Sequence, residues 1–227
     1  MDALARCPLF AGMDTAEREE LFRCLGASRR RCRKGEVILL RGEEVTYCAV
    51  VLRGQVQAES VSPLGDRRIV AVHGSGSVFG DVLAVSADRR SPLDVLAAEP
   101  GTELLLIPAD TLSGGCSRAC AAHERLRRNL LQELAEKYWQ QRRRCGYLEK
   151  SSLRARIAAR LLYEARRQQS AIFSLGCSRE ALAGELGANR SALSRELSRM
   201  KAEGLIDTYR DSFRLLDRAA LEQAAAG

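Results

Sequence analysis

The chain has 227 residues, of which 46% are hydrophobic and 29% charged, and this composition excludes a disordered or fibrous protein. Its formal net charge of +7 permits an anionic partner without identifying one, and no apolar run is long enough to span a membrane. Because the N-terminus lacks a basic leader followed by an apolar core, we expect a cytoplasmic protein with no membrane partner, whose eight cysteines are thiols rather than disulfides.

Up to about residue 112, apolar or alternating runs of strand length are separated by turn residues. A helix precedes them, and it begins at Asp14-Thr15-Ala16-Glu17 with an acidic first turn. The runs recur at intervals of roughly ten residues, which predicts an antiparallel barrel or sandwich. The predicted strands are 37–40, 49–52, 56–61, 69–72 and 104–107.

A long helix is predicted over residues 119–150, which contain no proline. One face of it carries a repeat with alternating steps of three and four residues. The repeat consists of Leu131, Leu134, Tyr138, Gln141, Cys145 and Leu148. Such a stripe packs either on its own domain or on a partner helix. We favour a partner helix, hence a homodimer, in which polar Gln141 would fix the register at some cost in stability.

The last third of the chain is helical in pattern and more basic than the rest. Residues 150–227 contain 14 Lys and Arg against 9 Asp and Glu, whereas the first 149 residues contain 22 against 20. The net charges are therefore +5 and +2, and this shift places a domain boundary near residue 149. We expect a helix after Ser151-Ser152, a short strand at 172–175, and two further helices.

Residues 178–195 have the layout of a helix-turn-helix. Ser178 caps the first helix, Gly187 supplies a left-handed turn residue, and the second helix begins at Asn189 or Arg190. Strand patterns at 205–209 and 213–216 then indicate a β-wing. An ordinary helical hairpin is the alternative, but the wing, the charge shift and the dimer helix favour DNA binding. The predicted DNA-binding residues are Ser178, Arg179, Asn189, Arg190, Ser191, Ser194, Arg195 and Arg199.

Several motifs occur in a specific order. They are Lys34-Gly35-Glu36-Val37-Ile38, Leu52-Arg53-Gly54-Gln55-Val56, Val78-Phe79-Gly80-Asp81 and Arg190-Ser191-Ala192-Leu193-Ser194-Arg195. In this order and spacing the chain resembles the Crp–Fnr family of bacterial transcription regulators over nearly its whole length. The resemblance implies an α+β fold with a double-stranded, jelly-roll-like β-roll at residues 1–118, a long dimerisation helix at 119–149 and a winged helix-turn-helix at 150–227.

The resemblance also implies the partners. A homodimer would bind an inverted repeat in double-stranded DNA, with one recognition helix per half-site, and would contact RNA polymerase if it is an activator. An effector in the β-roll would shift the population of DNA-competent molecules. At the recognition helix, Arg195 matches a guanine-reading arginine of the family, whereas Ser191 stands where glutamate is common. Glu196 occupies a position that is usually apolar, so we expect Leu197 and Met200 to carry more of the packing.

The effector segment departs from the family members that bind cyclic AMP. These carry an Arg-Ser pair whose arginine lies ten positions after the glutamate that matches Asp81, and here Ser91-Pro92 stands at that spacing. Pro92 has no amide hydrogen for a phosphate, and Arg90 is one place early, so its side chain would point to the opposite face. We expect an effector pocket formed by Gly80, Asp81, Arg90 and Ser91, for an effector other than cyclic AMP whose identity stays open.

The cysteines and histidines allow a second interpretation within the same family, a redox or gas sensor that uses a bound metal, haem or iron–sulfur cluster. Cys116, Cys120 and His123 would share one helix face and suit zinc or iron, although thiols that pack a helix base are the alternative. Arginines around Cys32 would lower the pKa of its thiol. We expect His73 in a surface turn, and with neither histidine in a strand pattern we expect no enzyme.

Overall fold

The computed structural model describes residues 2–62, 65–112, 114 and 120–226. The chain divides into two compact units, Met1–Glu136 and Lys137–Gly227, and the division falls inside one long helix. Among the described residues, none of the helices combines the length and apolar character needed to cross a bilayer. Each unit has its own apolar core.

The first unit begins with two helices, α1 (Ala3–Arg6) and α2 (Thr15–Leu25). The predicted start of α2 is confirmed, because the Asp14 side chain accepts from the amide of Glu17 and the Glu17 side chain accepts from the amide of Asp14. Antiparallel strands and two short helices follow. They are β1 (Ser28–Cys32), β2 (Val37–Leu39), β3 (Tyr47–Arg53), β4 (Gln55–Val61), β5 (Arg67–Gly74), β6 (Val78–Phe79), α3 (Asp81–Ala84), β7 (Asp94–Ala97), β8 (Thr102–Pro108) and α4 (Ala109–Leu112).

These strands form two sheets with the orders β1-β8-β3-β6 and β2-β7-β4-β5. Alternate residues of β3 face opposite ways, so the sheet that contains β3 has two buried faces. Ala49 and Val51 lie in the core between the two sheets. Cys48 and Val50 lie on the opposite face, in a second core that they share with apolar residues of α2 and of the long helix that follows the β domain. The predicted antiparallel β domain is confirmed.

The sequence analysis missed three strands, of which β1 is the most informative. Its residues Arg29, Arg30 and Arg31 have no strand-like apolar pattern, yet β1 pairs along its whole length with β8. β1 is an edge strand on which only Cys32 is buried, so tertiary pairing rather than local pattern determines it.

The long helix is α5 (Ala121–Leu148), close to its predicted bounds. The second unit continues with a three-stranded sheet of order β10-β11-β9 beside four helices, which confirms the α+β class. Its elements are α6 (Leu153–Arg167), β9 (Ile172–Ser174), α7 (Arg179–Glu185), α8 (Arg190–Ala202), β10 (Ile206–Tyr209), β11 (Ser212–Leu215) and α9 (Arg218–Ala226).

Candidate nucleic-acid interface

Helices α7 and α8 form the predicted helix-turn-helix, and local side chains define its ends. The Ser178 hydroxyl accepts from the amide of Ala181 at the start of α7, and the Asn189 side chain accepts from the amide of Ala192 at the start of α8. Gly187 between the helices has φ +63°, a left-handed conformation that favours glycine. The caps and this turn therefore determine where α8 begins.

One side of α8 is buried and the other is exposed. Leu193, Leu197 and Met200 belong to the core of the second unit. On the exposed side, Arg190 and Arg195 form no side-chain hydrogen bond or ion pair with any other residue that the structure describes. The Ser194 hydroxyl likewise has no hydrogen-bond partner among the described residues, so these three side chains present donors to solvent near the N-terminal end of the helix.

Two other predicted residues of this surface are already engaged within the protein. The Ser191 hydroxyl donates to Oδ1 of Asn189 at 2.8 Å, so its proton is used inside the cap. Nη2 of Arg179 donates to the Thr208 hydroxyl at 2.6 Å, and its guanidinium lies 4.7 Å from the centre of the Phe213 ring. Arg179 therefore links the start of α7 to the strands β10 and β11.

Arg179 is half-buried, and one end of its guanidinium is shielded from water. Its Nη1 atom is buried without a hydrogen-bond partner among the described residues. Burial lowers the pKa of Arg179 below its ordinary value, against the opposing charges of Cys177 and Asp211. A side chain in this position holds the wing in place, and it reaches a partner only by giving up these contacts.

The wing carries two exposed residues that the sequence analysis did not single out. Tyr209 is 73% exposed at the end of β10, and Arg210 follows it with φ +54°. The Arg210 guanidinium lies 5.4 Å from the centre of the Tyr209 ring. The positive φ marks a tight turn, which directs a cation and an aromatic ring outward from the tip of the wing.

Arg199 and Glu196 form an ion pair on the flank of α8. Nη1 of Arg199 lies 3.5 Å from Glu196, and the Arg199 side chain is 70% exposed. Glu196 is more closely bound by Nε of Arg154 at 2.6 Å, an arginine of α6. Leu197 and Met200 are both buried in the core of the second unit. The ion pair with Arg154 explains how the carboxylate of Glu196, next to Leu197, is accommodated.

Comparison with known proteins assigns a family model to each of the two units. Residues 155–224 match the model of a Crp-like helix-turn-helix domain, and residues 29–118 match that of a cyclic nucleotide-binding domain. The chain is 30% identical over 202 residues to the transcriptional regulator LdrP of Thermus thermophilus, with 86% of this chain and 96% of LdrP covered. The chain belongs to the Crp–Fnr family.

Two solved structures have a fold similar to that of this chain. The catabolite activator protein of Thermus thermophilus gives a TM-score of 0.54 at 24% identity, covering 97% of this chain and 99% of that one. A mutant of CooA from Carboxydothermus hydrogenoformans gives 0.61 at 17% identity, covering 95% and 92%. These two likenesses confirm the Crp–Fnr fold, and the helix-turn-helix domain is shown by the family model that matches residues 155–224.

Within this Crp–Fnr chain, the predicted dimer seam is largely exposed. Leu131 is 67% and Tyr138 63% exposed, and Gln141, Cys145 and Leu148 are exposed as well. Leu134 differs, because it is half-buried against the core of the first unit.

The sequence analysis did not single out Trp139, which lies beside the seam and is 54% exposed. At the far end of the seam, a Cβ placed on Gly187 would lie only 2.6 Å from Cδ2 of Leu148. The last turn of α5 therefore lies directly against the turn that precedes the recognition helix.

The predicted effector residues of the β-roll are held by internal hydrogen bonds. Gly80 has φ +75° before α3, and Asp81 is buried. The amide of Ser91 donates to the carbonyl of Glu43 at 2.9 Å, and its hydroxyl donates to the carbonyl of Leu93 at 2.7 Å. Arg90 is exposed and its Nη1 donates to the carbonyl of Gly42 at 3.0 Å. In this conformation the segment therefore offers no free serine amide to an anion.

The predicted metal ligands are only partly placed, since Cys116 lies outside the described residues. Sγ of Cys120 lies 2.9 Å from Nδ1 of His123. His123 is buried, and burial together with the nearby charge of Arg127 lowers its pKa. Within the described ranges, no group of three or more His, Cys, Asp or Glu side chains is arranged to hold a metal ion.

Two smaller predictions are wrong. Burial raises the pKa of Cys32 although Arg30 opposes it, because the side chain lies inside the β-roll. His73 lies in β5 rather than in a turn, half-buried with its ring 5.6 Å from that of Phe79. In both cases the residue lies in a strand whose burial is not visible from its neighbours in the sequence.

Proposed function

We propose that the protein is a homodimeric, sequence-specific transcription regulator that binds an inverted repeat and is controlled by an effector other than cyclic AMP. In this proposal residues 1–118 bind the effector, residues 119–149 join two copies, and residues 150–227 bind DNA. The exposed row Arg190, Ser194 and Arg195 is the observation that carries the proposal. Arginine binds O6 and N7 of guanine in a bidentate manner, and a recognition helix meets base edges through its N-terminal turns.

The direct test is selection of bound duplexes from a random DNA library, followed by affinity measurement on the selected sequence. We expect an inverted repeat with half-site centres about one helical turn apart. Affinity should fall roughly a thousandfold or more between about 50 and 200 mM salt if six or more phosphates are contacted. Equal affinity for the selected and the random duplex would refute sequence-specific binding.

Dimerisation is supported by the exposed apolar side chains of α5, which a second copy of the helix would cover. Replacing Leu131 and Tyr138 together by glutamate should yield monomers in sedimentation velocity. Operator affinity should then fall about a hundredfold or more, because the two half-site contacts lose their linkage. We choose Leu131 over Leu134, since Leu134 also packs in the first unit.

Leu216→Glu is the matched control for that variant, because Leu216 is also an exposed apolar residue, 54% accessible, but lies outside α5. This control should remain dimeric. A dimer that persists in the Leu131→Glu, Tyr138→Glu protein would rule out the seam.

A further inference from the structure

A single arginine at the start of α6 binds two carboxylates, one in α8 and one on the residue that caps its C-terminal end. Nε of Arg154 donates to Glu196 at 2.6 Å, while Nη1 and Nη2 donate to the two oxygens of Glu203 at 2.6 and 2.8 Å. A planar guanidinium holds two anions in a fixed geometry, which the point charge of a lysine does not reproduce. Arg154 therefore attaches α6 to both the middle and the C-terminal end of the recognition helix.

Both carboxylates lie where an unpaired anion is unfavourable. Glu203 follows the last turn of α8, at the negative end of the helix dipole. The Glu196 side chain is only 14% exposed and borders the apolar row of α8. Hydrogen bonds from Arg154 hold the pKa of Glu203 below its ordinary value, so Glu203 stays ionised and bound.

Glu196 has a second cation within reach, on the side of α8 that we propose faces DNA. Nη1 of Arg199 lies 3.5 Å from Glu196, at the limit of a hydrogen bond, whereas Nε of Arg154 lies at 2.6 Å. Arg154 binds Oε1 of Glu196 and Arg199 approaches Oε2, so the two arginines share the charge of one carboxylate. Because Arg154 neutralises that charge from the shorter distance, Arg199 is only loosely held and its side chain remains largely in solvent. A cation in this position is suited to a DNA phosphate.

We propose that Arg154 is a positioning residue for DNA recognition, which fixes α8 against α6 and keeps Arg199 available to the DNA backbone. This inference rests on the proposed function. Without Arg154, Glu196 would draw Arg199 into a closer ion pair and remove one phosphate contact. Glu203 would lose its bond to Arg154 at the same time, and both ion pairs that Arg154 forms between α6 and the recognition helix would be gone.

The test uses the full chain and the selected operator duplex. Arg154→Ala should lower operator affinity about tenfold and reduce the slope of log K against log salt by about one. Arg199→Ala should lose the same amount of slope, and the double variant Arg154→Ala, Arg199→Ala should lose no more than either. Adding Glu196→Gln to Arg154→Ala should restore the slope, because the neutral amide releases Arg199.

Arg218→Ala is the matched control, since Arg218 forms an exposed ion pair with Glu222 on α9 and carries the same charge. Its affinity and slope should equal those of the parent protein. If Arg154→Ala does not fold in circular dichroism, Arg154→Lys replaces it, with an expected intermediate loss because one ammonium does not span both carboxylates.

Two results would overturn the inference: a parental salt slope in Arg154→Ala or, in its place, in Arg154→Lys, or a lost slope that Glu196→Gln does not recover. Failure of the parent protein to select any operator would instead refute the proposed function, so the two failures are distinguishable.

Discussion

The N-terminal half of α8 and the segment from Gly80 to Pro92 in the β-roll are both rich in polar groups, but they use them in opposite ways. On α8, Arg190 and Arg195 extend into solvent without a partner in the described part of the chain. In the β-roll segment, the amide and the hydroxyl of Ser91 both donate to backbone carbonyls. The surface of α8 that we propose binds DNA is therefore preformed, whereas an effector at the proposed site in the β-roll segment would have to replace internal hydrogen bonds.

The largest effect should come from removing a presented side chain. Arg195→Ala should lower operator affinity by about 1–3 kcal/mol and relax the preference at one base pair, as measured by binding to single-base operator variants. Equal loss on every duplex would mean that Arg195 contacts phosphate, and the description of α8 as a base-reading surface would need a different residue.

A smaller effect should come from the turn that presents α8. Gly187→Ala puts a side chain at φ +63° and against Leu148, so we expect a loss of about 1–2 kcal/mol in the free energy of unfolding of the second unit. Gly26→Ala is the control, since Gly26 has φ +66° but no atom within 4 Å of the added Cβ. Equal losses in urea denaturation would show that Leu148 adjusts at no cost.

A still smaller effect on stability should come from the hydrogen bonds within the β-roll segment from Gly80 to Pro92. Ser91→Ala removes the hydroxyl that donates to Leu93, so the first unit should lose about 1 kcal/mol of unfolding free energy. Operator affinity should stay unchanged in the same preparation. A large loss of DNA binding would mean that this hydrogen bond also controls the second unit.

For cyclic AMP we expect no effect on the stability of the protein. Cyclic AMP at about 1 mM should leave the melting temperature of the protein unchanged, because a ligand that does not bind the native state adds no stability. A rise of several degrees in differential scanning calorimetry would show that the segment opens for this nucleotide in spite of Ser91 and Pro92.

The sequence predicts the helix-turn-helix well because its signals are local. Ser178, Gly187 and Asn189 lie within twelve positions of one another, and each determines the backbone next to it. β1 could not be predicted in this way, since its partner β8 lies some seventy positions later. The direction of the pKa shift of Cys32 was missed for the same reason, because neighbouring arginines are visible in sequence and burial is not.

The polar contacts of α8 also depend on residues that are distant in the sequence, and they could not be predicted either. The sequence shows that Glu196 replaces an expected apolar residue, but it does not show that Arg154, 42 positions away, binds it. It likewise assigns Arg179 to DNA without revealing the ring of Phe213 beneath its guanidinium. The residue types at an interface are predictable from the sequence pattern. Which of those side chains are already hydrogen-bonded within the protein becomes visible only in the folded structure.

Trp139 is the one tryptophan of the chain, and its ring meets that of Tyr138 edge-on with 5.5 Å between the ring centres. It lies on α5 beside the residues through which we propose that two copies meet, and it is more than half exposed in the single chain. Indole is an intrinsic fluorophore whose emission moves to shorter wavelength as water leaves its surroundings. The protein thus contains its own optical reporter of the proposed dimerisation, which a dilution series can follow without an attached label.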